Sequence, residues 1–228
     1  CIFRRSCGIK IYFLWAKHLS YTLKTRIYLS TGSLLEALLK FSVEVVLLMN
    51  GKRSPQAGRR RCTLPVPYPE PQVVAPNAYY AQLLLEDYAG MVSEVTAINQ
   101  YLYHYFTFEE EHEELGELIE CISIVEMKHM ELIAETILLL GVAPEYRTLT
   151  HNFPVYWNAS FVYYGVDVCD RLAADIASEK EAICNYRKHQ EQIADPYIKQ
   201  LLERIILDEE HHLKLFQEAA TKYCPGLS

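Results

Sequence analysis

A repeated motif constrains this chain more than any other feature of its sequence. Residues 93–101 read SEVTAINQY and residues 178–186 read SEKEAICNY, so both contain S-E-x-x-A-I-x-x-Y. A Glu-x-x-His sequence follows each of them, at Glu126–His129 and at Glu209–His212. The two glutamates of a half are 32 residues apart in the first half and 30 apart in the second. This internal similarity indicates two copies of one structural unit, here a pair of helices.

Apolar residues recur at three- and four-residue intervals beside each motif, which predicts four amphipathic helices. Glu and His three residues apart lie on one helical face, and here that face is the apolar one. The residues predicted to point into the helical core are Glu94, Glu126, His129, Glu179, Glu209 and His212. Burying one unpaired carboxylate is costly, and four together also repel one another. A pair of divalent cations removes both costs, and oxygen and nitrogen ligands suit iron, manganese or zinc.

This set of residues resembles the ferritin-like di-metal carboxylate proteins. In that family two helices each provide one Glu, and the other two each provide a Glu-x-x-His. Ala97–Tyr101 and Glu126–His129 are similar to bacterioferritin sequences, and the wider chain also resembles rubrerythrin-type domains and manganese-catalase-like proteins. The resemblance covers about residues 75–224. It implies an all-α fold, a ferritin-like four-helix bundle with one long crossover between helices 2 and 3.

The resemblance also implies a role for each of the six residues. The glutamates of the two Glu-x-x-His motifs bridge two metal ions, the other two glutamates are terminal ligands, and each histidine binds one ion. The fourth helix also offers a frame-shifted alternative, Asp208-x-x-His211. The repeat favours Glu209 and His212, because these residues keep the two halves of the chain in step.

Several residues near these motifs have more than one interpretation. Tyr101 and Tyr186 lie two helical turns after a terminal glutamate, where they either hydrogen-bond a ligand, pass an electron, or simply pack in the core. Asp87 and Asp175 precede the same glutamates and are either outer partners of the ligands or acids at a helix edge. Met127 matches the haem-binding Met of bacterioferritins, which implies a possible haem, although a helical Met is more often a packing residue.

The function implied by the resemblance is a di-iron oxidoreductase that oxidises Fe(II) or reduces O2 or H2O2 at a carboxylate-bridged site. A dimanganese catalase is an alternative, since manganese and iron accept the same ligands. A bacterioferritin-like iron-storage protein and a module with a purely structural metal are further alternatives. No C-x-x-C pair for a rubredoxin-type iron site is present, so we expect a separate electron donor. We also expect a homo-oligomer.

The apolar pattern predicts where each helix begins and ends. A first continuous helix is expected from Pro76–Asn77 to about Phe108, with Met91 on its buried stripe. The second helix should stop at Gly141, the third should span 165–193, and the fourth should begin at Asp195–Pro196 and run to about Tyr223. The crossover at 141–164 should be packed down by its aromatic residues, which are Tyr146, Phe153, Tyr156, Trp157, Phe161, Tyr163 and Tyr164.

Charge divides the chain into two parts. Residues 1–62 carry twelve Lys or Arg and two Glu, whereas residues 63–228 carry ten Lys or Arg and 27 Asp or Glu. We therefore predict a basic N-terminal extension over 1–74, disordered or non-native, and a di-metal bundle over 75–224. The longest apolar run of the extension, 34–49, contains three charges and is too short for a membrane span. The basic run Arg59–Arg61 favours a linker over a nucleic-acid site, so neither nucleic acid nor a membrane span is expected.

The seven cysteines are scattered along the chain without a recognisable framework. An odd number without C-x-x-C pairs is typical of a reduced protein. The sequence therefore predicts a cytoplasmic protein without disulfides.

The extension yields a first testable prediction. A protein that starts at Met49 should fold and bind metal as the longer chain does, because residues 1–48 are predicted to lie outside the bundle. Circular dichroism and metal analysis of both proteins provide the comparison. An insoluble or metal-free shorter protein would show that the extension belongs to the domain.

Overall fold

A computed structural model of the chain describes residues 62–108, 112–149 and 153–225. All of them belong to one compact unit, residues 58–228, and residues 1–61 of the predicted extension over 1–74 lie outside the described residues. The described residues of this unit form five α-helices: α1 (Ala78–Ala89), α2 (Glu94–Phe108), α3 (Glu113–Leu139), α4 (Val168–Gln192) and α5 (Pro196–Tyr223). A two-stranded sheet, β1 (Arg147–Thr148) and β2 (Val155–Tyr156), and the short 3-10 helix Ala159–Phe161 lie between α3 and α4.

Capping residues set several of the helix ends where the sequence predicts them. The side chain of Asn77 accepts hydrogen bonds from the amides of Tyr79 and Tyr80 and so caps α1. Asp195 caps α5 in the same way, and Pro196 occupies the first turn, where its missing N–H costs nothing. Gly141 follows α3 with a φ of 87°, a conformation that a side chain would disfavour. These local signals confirm the predicted starts of α1 and α5 and the predicted end of α3.

The predicted first helix is interrupted, which corrects the expectation of one continuous helix to Phe108. Gly90 ends α1, and a Cβ atom at this position would lie 2.5 Å from the carbonyl oxygen of Glu86. Ser93 then caps α2, since its hydroxyl accepts from the amide of Thr96 and donates to the carbonyl of Gly90. Met91 lies in the break and is 66% exposed, so it is not on the buried stripe. The break leaves Glu94 as the first residue of α2.

The helices form the predicted all-α four-helix bundle, with α1 and α2 together in the place of the first bundle helix. α2 packs mainly along α3, and α4 packs mainly along α5. Two apolar clusters fill the interior. On α3 one cluster precedes Glu126 and the other follows His129, and on α5 the order is reversed. The result is a polar layer across the bundle with apolar packing on both sides. None of the described helices is long and apolar enough to cross a membrane.

The crossover between α3 and α4 carries more structure than the sequence predicts. The two strands pair antiparallel, with Arg147 opposite Tyr156. The indole of Trp157 donates to the hydroxyl of Thr96 on α2, and the amide of Tyr163 donates to the side chain of Gln100. The expectation that aromatic residues pack the crossover down holds in part, since Tyr146 stacks on Tyr88 and Tyr164 contacts Tyr103 edge-on. The aromatic residues that remain partly exposed are Tyr146, Phe153, Tyr156, Tyr163 and Tyr164. Hydrogen bonds to α2 therefore add to the ring contacts that hold this segment.

Residues 62–74 were predicted to belong to the N-terminal extension. In the structure they pack against α5. We call residues 62–76 the N-terminal strap. The carboxylate of Asp208 accepts from the amide of Leu64 and from the hydroxyl of Thr63. The buried guanidinium of Arg204 donates to the carbonyl of Val66 and pairs with Asp208 at 2.9 Å. Because a buried charge is tolerated only when it is paired, Arg204 and Asp208 depend on the strap for part of their partners.

Two disulfides contradict the prediction of a chain without them. Cys62 of the strap is bonded to Cys121 on α3, and Cys169 at the start of α4 is bonded to Cys224 after α5. Of the cysteines in the described part of the chain, Cys184 is free and exposed. Disulfides are typical of oxidising environments, so the cysteines do not support the expected cytoplasmic location, which stays a prediction.

The break after α1 leads to a second prediction. Gly90→Ala should lower the free energy of unfolding by about 1–3 kcal/mol, because the new methyl group can be accommodated only by moving backbone. Met91→Ala is the matched control and should stay within about 0.5 kcal/mol, since the Met91 side chain is exposed. Denaturant unfolding of both variants measures the difference. Equal stabilities would contradict the steric reason given for the break.

Candidate metal centre

The six predicted residues come together in the polar layer of the bundle. One group contains Glu94, Glu126, His129 and Glu209, and a second contains Glu126, Glu179, Glu209 and His212. Within each group the four donor atoms lie within 4.8 Å of one another, and all of these residues are buried. Both groups share the glutamates of the two Glu-x-x-His motifs. Each group therefore offers three carboxylates and one imidazole, with two carboxylates common to both.

Several donor atoms of this cluster face one another without forming hydrogen bonds, although His129 Nδ1 is hydrogen-bonded to Glu126 Oε2 at 2.9 Å. Glu126 Oε1 lies 2.9 Å from His212 Nδ1, and Glu209 Oε1 lies 3.0 Å from His129 Nδ1. The buried atoms without a hydrogen-bond partner, among the residues that the structure describes, include Glu126 Oε1, Glu179 Oε2, Glu209 Oε1 and His212 Nδ1. Such short distances without hydrogen-bond angles are expected when the oxygen and nitrogen atoms of several ligands point at one shared centre. The cluster therefore fits cations better than it fits internal pairing.

Each imidazole is oriented through its outer nitrogen. His212 Nε2 donates to the backbone carbonyl of Cys62 at 2.8 Å, and because a carbonyl can only accept, Nε2 must carry the proton. His129 Nε2 lies 3.3 Å from the carboxylate of Asp208 and 3.2 Å from the hydroxyl of Tyr68. In both rings Nδ1 faces the carboxylates, and its lone pair is then available to bind a metal. The strap thus contributes directly to the orientation of both histidines.

Without a cation, the net charge of the cluster depends on which of its carboxylates and imidazoles carry protons. Burial and the neighbouring carboxylates raise the pKa values of Glu94 and Glu179 well above the usual range. Burial alone would also raise the pKa of Glu209, but the two nearby imidazoles hold it well below its usual value. Burial lowers the pKa of the histidines, but the carboxylates outweigh this effect and raise that of His129 well above normal and that of His212 to about 9. Metal ions bound here would have to displace these protons.

The two predicted tyrosines connect the halves of the repeat. The hydroxyl of Tyr101 on α2 donates to Glu179 on α4 at 2.5 Å. In the symmetric position, Tyr186 on α4 donates to Glu94 on α2. Burial raises the pKa values of both phenols well above 10, so they remain hydrogen-bond donors. Of the interpretations that the sequence leaves open for these tyrosines, the geometry supports a hydrogen bond to a predicted terminal ligand.

A small cavity borders the cluster between α2 and α4. Its volume is about 10 Å³, close to the minimum that a single water molecule occupies. The inner wall is formed by Asp87, Glu94, Tyr101, Glu126, Glu179, Tyr186 and Glu209. The half-buried residues of the outer wall include Val92, Ala97, Ser178, Ala182 and Asn185. A substrate that reaches the cluster from this side must therefore be very small.

The remaining predicted residues lie away from the two groups. Asp208 was predicted only as a rival ligand, in the frame-shifted alternative. In the structure it lies on the outer side of His129 and is a hydrogen-bond partner of that histidine. Asp87 is hydrogen-bonded to His189, and Asp175 is hydrogen-bonded to His104, and both histidines lie outside the cluster. Met127 is 38% exposed and is not part of either group, so a haem at this residue stays a prediction.

Comparison with known proteins finds a family and relatives of two kinds. A family model described as "Ferritin: Ferritin-like domain" matches residues 89–223. A probable manganese catalase from Clostridium acetobutylicum is 30% identical over 164 residues, which are 64% of this chain and 72% of that protein. A bacterioferritin from Streptomyces coelicolor is 33% identical over 129 residues, which are 54% of this chain and 70% of that protein.

Solved structures of the same two kinds share the fold. A manganese catalase from Anabaena aligns with a TM-score of 0.64 and 25% identity, over 70% of this chain and 78% of that one. A bacterioferritin from Mycobacterium tuberculosis aligns with a TM-score of 0.55 and 27% identity, over 68% of this chain and 93% of that one. The similarity confirms the predicted ferritin-like four-helix bundle.

A third prediction concerns the orientation of His129. Asp208→Asn should weaken divalent metal binding by about 10–100-fold, because the amide is a weaker partner for Nε2–H than the carboxylate is. Competition with a chromophoric chelator measures the affinity, and circular dichroism checks that the helices remain.

Glu210→Gln is the matched control for this substitution. Glu210 is the exposed residue on α5 that pairs with Arg187 on the surface, so its neutralisation should leave the affinity unchanged. Equal affinities of the Asp208 variant and this control would contradict a role for Asp208 at the centre.

Proposed function

Since the chain belongs to the ferritin-like family, we propose that it binds two redox-active divalent ions and breaks down hydrogen peroxide. The observation that carries this proposal is the pair of buried donor groups, each with three carboxylates and one imidazole, which share Glu126 and Glu209. A solvated acidic surface has no such set of buried, unpaired donor atoms. A purely structural site would not need two carboxylates in common between two positions.

The six residues would divide the work of holding the ions. Glu126 and Glu209 belong to both groups and would bridge the two positions, whereas Glu94 and Glu179 would each bind one ion. His129 and His212 would supply one neutral nitrogen each, with Nδ1 as the donor atom. The hydroxyls of the two tyrosines would fix the terminal carboxylates and keep their unbonded oxygens facing the ions. The chemistry that such an ion pair supplies when bound is the gain and loss of two electrons.

Manganese and hydrogen peroxide are the metal and substrate that we favour. Iron is the metal that the resemblance in the sequence implies first, but among the relatives described above the manganese catalases match more of this chain, by sequence and by structure. Disproportionation of peroxide needs no separate electron donor, since one peroxide reduces what another oxidises.

A di-iron oxidoreductase is the second candidate, and the bacterioferritin relatives favour it. In that case the site would oxidise Fe(II) or reduce O2 or H2O2, and the protein would require an electron donor or serve iron storage. Oligomer size separates these cases, because a storage cage is many times larger than the small homo-oligomer that we expect for an enzyme.

The fourth prediction tests the metal and the reaction together. Protein purified without added metal should contain about two metal ions per chain, as determined by elemental analysis. Manganese-loaded protein should release one O2 for every two H2O2 consumed, without a reductant, measured with an oxygen electrode. His129→Ala should lower the rate by about 100-fold or more, because methyl cannot replace the nitrogen ligand. Iron-loaded protein that reacts while manganese-loaded protein is inert would support the second candidate.

Cys184→Ser is the matched control for this experiment. Cys184 is the free, exposed cysteine on α4 and is absent from both donor groups, so its removal should leave the rate unchanged. Loss of the reaction in Cys184→Ser, with retention in His129→Ala, would refute a metal-centred mechanism in favour of thiol chemistry.

A further inference from the structure

The bundle contains two buried His–Asp pairs that the metal cluster does not use. His189 Nδ1 lies 2.8 Å from Asp87 Oδ2, and His104 Nδ1 lies 3.0 Å from Asp175 Oδ2. Each histidine follows the terminal glutamate of its own half by ten residues, so the pairs are related by the internal repeat. All four side chains are buried. Two equivalent pairs that differ in their surroundings allow one to be compared with the other.

The outer ends of the two pairs differ in chemistry. His189 Nε2 faces Glu86 Oε2 at 3.4 Å, and the Glu86 side chain is 27% exposed. His104 Nε2 instead donates to the backbone carbonyl of Tyr163 at 2.8 Å. A carboxylate in contact with water can accept and release a proton, but a peptide carbonyl cannot hold one at ordinary pH. Only the His189 pair therefore has a titratable group between its ring and solvent.

The inner ends differ as well. Asp87 lines the cavity beside the cluster, together with Glu94 and Tyr186. Asp175 is not among the described residues that line this cavity, and its second oxygen accepts from the side chain of Gln100. The first pair therefore extends from solvent to the cavity, whereas the second is closed at both ends.

We propose, on the basis of the proposed function, that Glu86, His189 and Asp87 pass protons between solvent and the cavity beside the metal centre. A proton that arrives at His189 Nε2 from the side of Glu86 forms an imidazolium. The Nδ1 proton then moves to Asp87, which releases it into the cavity. The reverse passage, in which Asp87 returns a proton to Nδ1 and Nε2 releases its proton towards Glu86, restores the starting tautomer, and each passage moves one proton and no electrons.

The reaction of the proposed function needs such a path in both directions. Reduction of one H2O2 to two H2O takes up two protons and two electrons. Oxidation of a second H2O2 to O2 returns two protons and two electrons. The electrons would be exchanged with the metal pair, and the Glu86–His189–Asp87 chain would carry protons between solvent and the cavity. Burial raises the pKa of Asp87, although His189 opposes it, so this carboxyl holds a proton more readily than a surface aspartate does.

The first test compares substitutions in manganese-loaded protein. Asp87→Asn and Glu86→Gln should lower kcat for peroxide by about tenfold or more, with KM nearly unchanged and a larger solvent deuterium isotope effect. Asp175→Asn is the matched control, because it removes the equivalent carboxylate of the closed pair, and its kcat should stay within about twofold. Glu86 is partly exposed, so Glu86→Gln should fold even if Asp87→Asn does not. Equal effects of the Asp87 and Asp175 variants on kcat and on the isotope effect would overturn the proposal.

A second measurement does not depend on peroxide chemistry. In zinc-loaded protein with 15N-labelled histidine, the ring N–H protons of His189 should exchange with water at least about tenfold faster than those of His104. Glu86→Gln should slow exchange at His189 and leave His104 unchanged. Exchange at His189 no faster than at His104 would overturn the relay. If the wild-type protein releases no O2 from peroxide, the proposed function fails, and the exchange measurement still decides whether the proton path exists.

Discussion

Four carboxylates in the middle of a helical core are the constraint on which this structure depends. Left alone, they would repel one another and lose their hydration, which costs several kcal/mol for each charge. The structure surrounds them with two imidazoles and two phenols, and apolar clusters lie on both sides of this layer. The alternatives for such a layer are protonation or cations. Since several of its donor atoms lack hydrogen bonds, cations explain the arrangement better.

The inner part of the site could be predicted from sequence because its information is local. Glu126 and His129 share a helical face by spacing alone, and the repeat supplies the equivalent pair on the fourth bundle helix. The outer partners could not be found in this way. Asp208 accepts a hydrogen bond from Leu64, and His212 donates one to the carbonyl of Cys62. Both contacts join the strap, which has no periodic pattern, to a helix more than a hundred residues further along the chain. Nothing in the local pattern distinguishes a strap that orients ligands from a linker.

The errors in the fold prediction have physical causes of the same kind. The apolar pattern of the sequence continues through Gly90 and Met91. It does not reveal that a hydrogen-bonded break costs less free energy there than a continued helix. Aromatic residues in the crossover suggested a buried segment, yet several of them are partly exposed, and hydrogen bonds from Trp157 and Tyr163 add to the ring contacts that hold it. Cysteines at separations of 59 and 55 residues give no pairing signal until the fold brings them together.

The repeat is symmetric at the cluster and asymmetric around it, and this difference has a chemical consequence. His129 is oriented by a carboxylate, Asp208, whereas His212 is oriented by a neutral carbonyl, that of Cys62. An anionic partner draws the Nε2 proton more strongly and makes Nδ1 the more basic donor. The two metal positions would therefore differ in electron density although their ligand types are identical. The inequivalence comes from Cys62 of the strap and Asp208 of α5, two residues that lie outside the repeated motifs.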